Sequence, residues 1–304
     1  MARILCISSQ VARGTVGLSV MVPALQRLGH EVIALPTVLL SNHPGHPRVA
    51  GGPVPSAQLA AMVDALGGNG WLGAVDAVLS GYLPSAGHAR LVAEAVTAVN
   101  SARAQAGRPL NAIYLCDPVL GDDPKGLYID VRAAEAIRET LLPMADVVTP
   151  NRFEVAYLAS PAGTADVRTL EAARVALGSL GARVGVGTSI PGAAAGEIVN
   201  LMVAAGGSAA ARVPLRASVP HGTGDLFAAL LLSALVQQVP ARDALAAATA
   251  GVDQVLAASE GLDQLALAAL PSREHHGMRW PIEIADGGDG GGTVHAPLLP
   301  ARRR

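Results

Sequence analysis

His221-Gly222-Thr223-Gly224-Asp225, followed at once by the apolar run from Leu226 to Val236, sets an anion cradle beside a carboxylate. Glycine lets the backbone take positive φ and approach a ligand closely, and the run that follows reads as a buried helix whose first N–H groups lack an intrahelical partner. Such an end attracts phosphate, and the helix dipole favours a first-turn carboxylate as the anion. The stretch therefore predicts that Asp225 stays ionised at neutral pH and accepts a proton from a nearby hydroxyl, which is the chemistry of phosphoryl transfer to an alcohol. Taken alone, the same residues also read as a flexible turn with Asp225 capping an apolar helix.

Other acidic residues cluster in sequence. Asp117 and Asp122 bracket Pro118-Val119-Leu120-Gly121, and Glu154 follows Asn151. Hard carboxylate oxygens suit Mg²⁺, which keeps several waters and takes one or two protein carboxylates beside nucleotide phosphates. Each carboxylate read singly is also an ordinary turn or cap residue. No G-x-x-x-x-G-K-[ST] sequence is present, and no G-x-G-x-x-G follows the first apolar run, so phosphate has to be held another way. The amides of Gly222, Thr223 and Gly224 are one means. The chain's only lysine, Lys125, in a Pro-Lys-Gly turn, is either a solvated surface charge or a mobile cation that closes on the transferred phosphate.

These residues need a scaffold. Arg3–Ser8 reads as a strand, Gly17–Leu28 as a helix and Glu31–Leu35 as a second strand, a βαβ opening. Strands are predicted at Ala77–Ser80, Ala112–Cys116, Val147–Val148 and Val184–Val186, with helices at Gly87–Ala104 and from about Phe153. The alternation predicts an α/β fold on a mostly parallel sheet, in which loops at the strands' carboxyl ends converge on one crevice. Residues 1–271 form one expected domain. From 272 to 304 the composition changes, with His275-His276, a glycine-rich stretch and Arg302-Arg303-Arg304, and the expectation is a loosely ordered tail.

With 304 residues, 51% of them hydrophobic and 15% charged, the chain can bury a substantial core. A net charge of −2 and 3% aromatic residues give neither a broad basic surface nor a base-stacking platform, so no nucleic-acid partner is expected. Ile4–Ile7 is too short for a signal-peptide core and Leu226–Val236 too short to span a bilayer; no membrane association and a cytoplasmic location are expected. Cys6 and Cys116 fall in expected buried strands and suggest neither a disulfide framework nor a zinc site.

Ser9-Gln10-Val11 with Gly14 and Val16-Gly17, Thr37-Val38 with Ser41-Asn42-His43, Ser80-Gly81-Tyr82-Leu83, Cys116 through Asp122 with Gly126-Leu127-Tyr128, Thr149-Pro150-Asn151 with Glu154, Thr188-Ser189, and Gly222 through Phe227 occur in one order over about residues 1–271. In that order the chain resembles the pyridoxal kinases of the ribokinase superfamily. The resemblance implies a ribokinase-like three-layer fold, with a central, mostly parallel sheet flanked by helices. It implies an ATP-dependent transfer to the 5′-hydroxyl of pyridoxal, and of pyridoxine and pyridoxamine, giving pyridoxal 5′-phosphate in vitamin B6 salvage. By the same resemblance Ser9, Thr37, His43, Tyr82 and Asp225 line the vitamin pocket, Tyr82 packing on the ring while Ser9 and Thr37 reach its polar edge. Asp225 is the base, and Gly222, Thr223 and Gly224 stabilise the transferring group. Asp117, Asn151, Glu154, Thr188, Ser189, Thr223 and Lys125 serve ATP; Asp117, Asp122 and Glu154 position Mg²⁺ directly or through water. A monovalent cation such as K⁺ and a homodimer are further implications of the resemblance. Leu18 stands where the family usually has Asn, and His221 where it commonly has an apolar residue; His221 reads as a solvent-facing neighbour or a phosphate contact.

Three rival readings remain at this level. One keeps the chemistry with hydroxymethylpyrimidine as acceptor. Another is a carrier that binds B6 vitamers without using ATP, which leaves Asp225 without a purpose. The third, an enzyme using pyridoxal phosphate as cofactor, would need Lys125 for the Schiff base, and that lysine lies in a loop among carboxylates.

Overall fold

The computed structural model describes residues 1–108, 110–160, 165, 167–192, 194–271 and 284–286. In chain order, β1 (Arg3–Arg13), α1 (Leu18–Arg27) and β2 (Glu31–Asn42) form the expected βαβ unit. An edge strand β3 (Gly51–Pro53) precedes α2 (Ser56–Gly68), β4 (Ala77–Ser80), α3 (Ala86–Gln105) and β5 (Ile113–Cys116). A small hairpin, β6 (Gly121–Asp122) and β7 (Gly126–Leu127), leads to α4 (Val131–Ala136), β8 (Val147–Val148), α5 (Arg152–Leu158), α6 (Leu170–Gly178) and β9 (Val184–Pro191). The remainder is β10 (Glu197–Ala204), β11 (Gly207–Pro214), α7 (Thr223–Val236), α8 (Ala241–Ala258) and β12 (Ile284–Asp286).

Leu5 and Ile7 of β1 enter one apolar cluster while Ile4 and Cys6 enter another; Val78 of β4 and Tyr114 of β5 join the first, Leu79 and Leu115 the second. This alternation, apolar in both directions, is what a sheet covered on both faces requires. Helices α2 to α6 lie over one cluster and α1, α7 and α8 over the other, which gives three layers. The sheet order is β12-β11-β10-β9-β8-β5-β4-β1-β2-β3. Strands β9, β8, β5, β4, β1 and β2 run parallel, with antiparallel neighbours at both ends. From β1 the chain builds first to one side, with β2, and then to the other, with β4, so the order reverses between β1 and β4. Ligands of open α/β sheets bind outside the carboxyl ends at such a point.

Two strands differ from the expectation in a way that matters for the site. β1 pairs with β4 only as far as Ile7, yet it continues past a register shift, Gln10 opposite Leu39 and Arg13 opposite Asn42, where the polar residues Ser8-Ser9-Gln10 suggest a loop. The extension keeps β2 paired with β1 as far as Asn42, next to His43. Of the expected tail, only 284–286 are described, and they pair with β11; the rest of 272–304, including His275-His276 and the terminal arginines, lies outside the described residues.

Candidate active site

Helix α7 is buried on all sides from Leu226 to Leu235, which suits an element in the middle of a helical layer. Its N-cap, Gly222, has φ 100° and makes no side-chain cap, so the first-turn amides are left for a ligand. A Cβ at Gly222 would sit 1.6 Å from the Thr15 carbonyl oxygen, in a conformation L-residues rarely adopt. Glycine is the one residue that allows the cradle to press against the β1–α1 turn.

Asp225 lies in the first turn of α7, near the Gly17 amide, which favours its charged form. Gly17 in turn lies against Ser9, whose carbonyl and hydroxyl oxygens would both be 2.2 Å from an added Cβ. The helix end favours an ionised carboxylate; burial opposes this and pushes Asp225 up to about 6, with the Gly17 amide pulling the other way. The group is therefore mostly ionised at pH 7 but basic enough to take a proton.

Asp117 closes β5, 5% exposed, and accepts from the Thr149 hydroxyl at 3.0 Å. Burial and the charges of Glu154 and Asp225 hold its carboxyl well above the usual range, against the pull of Thr149. Burial, together with Glu154, Asp117, Asp122 and Asp225, also raises the Tyr128 phenol, so these four carboxylates share one neighbourhood. Val119, a β-branched residue two positions after Asp117, is held at φ 47° in the turn after β5.

Glu154 has a different place from the one its type suggests. It is 2% exposed, and its two oxygens accept from the amides of Leu120 at 2.6 Å and Asn151 at 2.8 Å, while the nearby Gly121 amide also favours its charged form. Asn151 completes a capping box by accepting from the Glu154 amide at 3.0 Å, and its NH₂ group donates to the Gly121 carbonyl at 2.8 Å. Glu154 and Asn151 thus clamp the acidic loop to the start of α5. Burial outweighs these amides and pushes Glu154 up to about 7. By contrast Asp122 keeps Oδ1 buried with no hydrogen-bond partner.

On the β1 side the Tyr82 amide donates to the Ser8 hydroxyl at 3.1 Å, and the Thr37 hydroxyl donates to the Tyr82 carbonyl at 2.7 Å. Thr37 is fully buried with its hydroxyl proton committed to the Tyr82 carbonyl, so it braces Tyr82 and any further hydrogen bond of that hydroxyl is one it accepts. Ser9 and Tyr82 are half-buried there, and burial raises the Tyr82 phenol. Thr188 donates its amide to the Pro150 carbonyl and bridges Asn151, while Ser189, at φ 57°, donates its amide to Asn200 at 3.3 Å. Lys125 is exposed on the β6–β7 turn. His43, at the end of the β2 extension, stacks on His221 with ring centroids 3.8 Å apart.

The phosphomethylpyrimidine kinase family model matches residues 73–268. The chain is 32% identical over 285 residues to pyridoxal kinase PdxY of Corynebacterium diphtheriae, covering 92% of this chain and 98% of that one. It is 37% identical over 260 residues to pyridoxal kinase PdxY of Rubrobacter xylanophilus, covering 83% and 86%. The chain belongs to the pyridoxal kinase family. A solved pyridoxal kinase from Leishmania donovani, in complex with ADP and pyridoxine, superposes with a TM-score of 0.84 at 30% identity over 93% of this chain and 99% of that chain. The fold is accordingly the ribokinase-like one expected of a pyridoxal kinase. Within it the β1–α1 turn, the ends of β4, β5 and β8, and the start of α7 meet at one crevice. The stacked imidazoles and the Ser8–Tyr82 contact were not legible as site features, since each joins segments far apart in sequence.

Proposed function

We infer that this chain is an ATP-dependent kinase that phosphorylates the 5′-hydroxyl of pyridoxal, and of pyridoxine and pyridoxamine, to give the 5′-phosphates. The observation that carries this reading is Asp225 standing on the uncapped first turn of α7, a base and an anion cradle on the same element. The vitamin ring packs on Tyr82 in the crevice beside Ser9 and His43. Asp225 takes the proton of the 5′-hydroxymethyl group as its oxygen attacks the γ-phosphorus, and ADP leaves. The amides of Gly222, Thr223 and Gly224 face the charge that spreads over the transferring oxygens. Asn151, Thr188, Ser189 and Thr223 contact the nucleotide, and Lys125 approaches its phosphates from the β6–β7 turn.

The donor set fits Mg²⁺. Asp122 has a buried carboxylate oxygen without a partner, and Asp117 is held by burial and by like charges in a state that a cation would reverse. Asp117 and Asp122 would hold the ion, with Glu154 acting through water because its oxygens already take backbone amides. When bound, Mg²⁺ neutralises charge on the β- and γ-phosphate oxygens. K⁺ assistance, a cytoplasmic location and a homodimer belong to the same reading. Ala57, Ala61, Met62 and Ala65 form an exposed apolar strip on α2 that a second copy could cover. Among the described residues no helix is long and apolar enough to cross a membrane.

The test is formation of pyridoxal 5′-phosphate by the purified protein with ATP, with and without Mg²⁺. Product only with both supports the reading; vitamer binding with no product favours a carrier. The match to the phosphomethylpyrimidine kinase model keeps hydroxymethylpyrimidine as an acceptor to compare, and kcat/KM on the two alcohols decides between them.

A further inference from the structure

The loop between β2 and β3 reaches across the crevice. Its base is closed by Ser41, whose amide donates to the Ala50 carbonyl at 2.8 Å and whose hydroxyl accepts from the Ala50 amide at 3.0 Å. The Asn42 side chain donates to the carbonyls of His43 and Arg48 at 3.1 and 2.9 Å. These bonds shape the loop but do not fix where it points, because they all lie within residues 41–50.

What it meets on the far side is His221. The two imidazoles stack with centroids 3.8 Å apart and planes 25° from parallel. The Gly45 amide donates to His43 Nδ1 at 3.1 Å, and an added Cβ at Gly45 would be 2.9 Å from His43 Nδ1 and 3.3 Å from His221 Nε2, so the turn is wrapped closely around both rings. His221 is itself anchored: Gly222 beside it presses on Thr15, and the Thr15 hydroxyl points to the His221 carbonyl at 3.5 Å. The ring is thus carried on the rigid start of α7 while its partner is carried on a loop. Burial, with the neighbouring charges of Lys125 and His46 and, for His43, of His221 as well, holds both imidazoles below their ordinary value, and Asp122 opposes this at His221. Neutral rings stack at pH 7 without charge repulsion.

We propose that His221 is a positioning residue: by stacking on His43 it pins the 43–50 loop over the mouth of the acceptor pocket, so that the loop is already ordered when the alcohol binds. The loop then excludes water from the acceptor side and sets the size of ring admitted. This proposal rests on the kinase reading above for its effect on substrate, but not for the ordering of the loop.

Two readouts separate those parts. His221→Ala should raise KM for pyridoxal about three- to tenfold, the magnitude of one lost aromatic pair, with kcat and KM for ATP within about twofold of wild type. His221→Phe, which keeps a flat ring but no nitrogen, should restore KM. In the ligand-free protein, amide hydrogen exchange of residues 43–50 should quicken about three- to tenfold in His221→Ala and return in His221→Phe. If His221→Ala fails to fold, His221→Leu takes its place. Unchanged exchange and KM in the aliphatic variant overturn the proposal. So does a His221→Phe that is as impaired as His221→Ala, since the nitrogen and not the stack would then be at work. A wild-type protein that makes no pyridoxal 5′-phosphate would sink the kinase reading while leaving the exchange result to judge the loop.

Discussion

The backbone of Gly17, in the turn after β1, lies close enough to the carboxylate of Asp225, on the first turn of α7, to favour its charged form. Burial keeps the carboxylate basic while the Gly17 amide keeps it ionisable, a balance that suits the base proposed above and that a helix end alone does not give. Replacing Asp225 with Asn keeps the shape and one acceptor oxygen but removes the proposed base. The expected outcome is a fall in kcat of about two to four orders of magnitude with nucleotide affinity nearly unchanged, read by steady-state kinetics and ADP titration.

The pH dependence follows from the same group. As the proposed base Asp225 would act as the anion, and its value of about 6 places the loss of activity on the acid side: kcat/KM should be on a plateau above about pH 7 and fall tenfold per unit below about pH 5. The stability effect has the opposite sense. A carboxyl raised in the folded state favours folding most below its unfolded value near 3.8, and that contribution is lost as pH rises through about 6. Asp225→Asn should therefore melt at or above the wild-type Tm at pH 7.5 while being inactive. A lower Tm in that variant would contradict the burial argument.

Gly222→Ala tests the cradle. At φ 100° an alanine is strained, and its Cβ would overlap the Thr15 carbonyl, so the turn must move and the first-turn amides with it. The expected cost is about 1–3 kcal/mol of stability, with kcat reduced at least about tenfold. Thermal melts and turnover measured on the same preparation distinguish a displaced cradle from a merely weaker fold. In Gly224→Ala an added Cβ meets open space, and it should keep its stability.

The parts of this site that could be read from sequence are those written locally. The glycine turn before Leu226, the acid loop after Cys116 and the two parallel pairs flanking β1 each show in a few consecutive residues. Glu154 shows only half its meaning: its type suggested a metal, whereas its position three residues after Asn151 made a capping box, and the Leu120 amide that also engages it is distant in sequence. The extension of β1 past Ser8 is hidden because polar side chains suit an arm over a crevice as well as a loop. Strand β11 is hidden for another reason: Gly207-Ser208-Ala209-Ala210-Ala211 has little preference for the sheet, and pairing with β10 and burial of its alanines draw it in.

Glu154 and Asp122 should part company on mutation. Glu154→Gln leaves one oxygen where two served, so a backbone amide in the clamp loses its acceptor and the variant should lose about 1–3 kcal/mol, seen in chemical denaturation. Asp122→Asn removes a carboxylate whose buried oxygen has no protein partner, and it should melt near wild type while its activity needs several-fold more Mg²⁺. Equal stability losses in both variants would show that Asp122 is held for structural reasons.

Lys125, the chain's only lysine, is exposed on the β6–β7 turn, close enough for its charge to act on His43 and His221 across the crevice. The turn is tied down by Arg152, which pairs with Asp123 at 2.5 Å, and by Asn151 on the Gly121 carbonyl, so the lysine's base is fixed while its head is free to swing. A flexible ammonium used only as the γ-phosphate develops charge should affect turnover more than binding. Lys125→Ala is expected to lower kcat about three- to tenfold with KM for ATP changed less than about twofold, and Lys125→Arg to recover most of it. If kcat is unchanged in Lys125→Ala across the ionic strengths used, the lysine is a surface charge and the transferring group is held by the α7 amides and the metal alone.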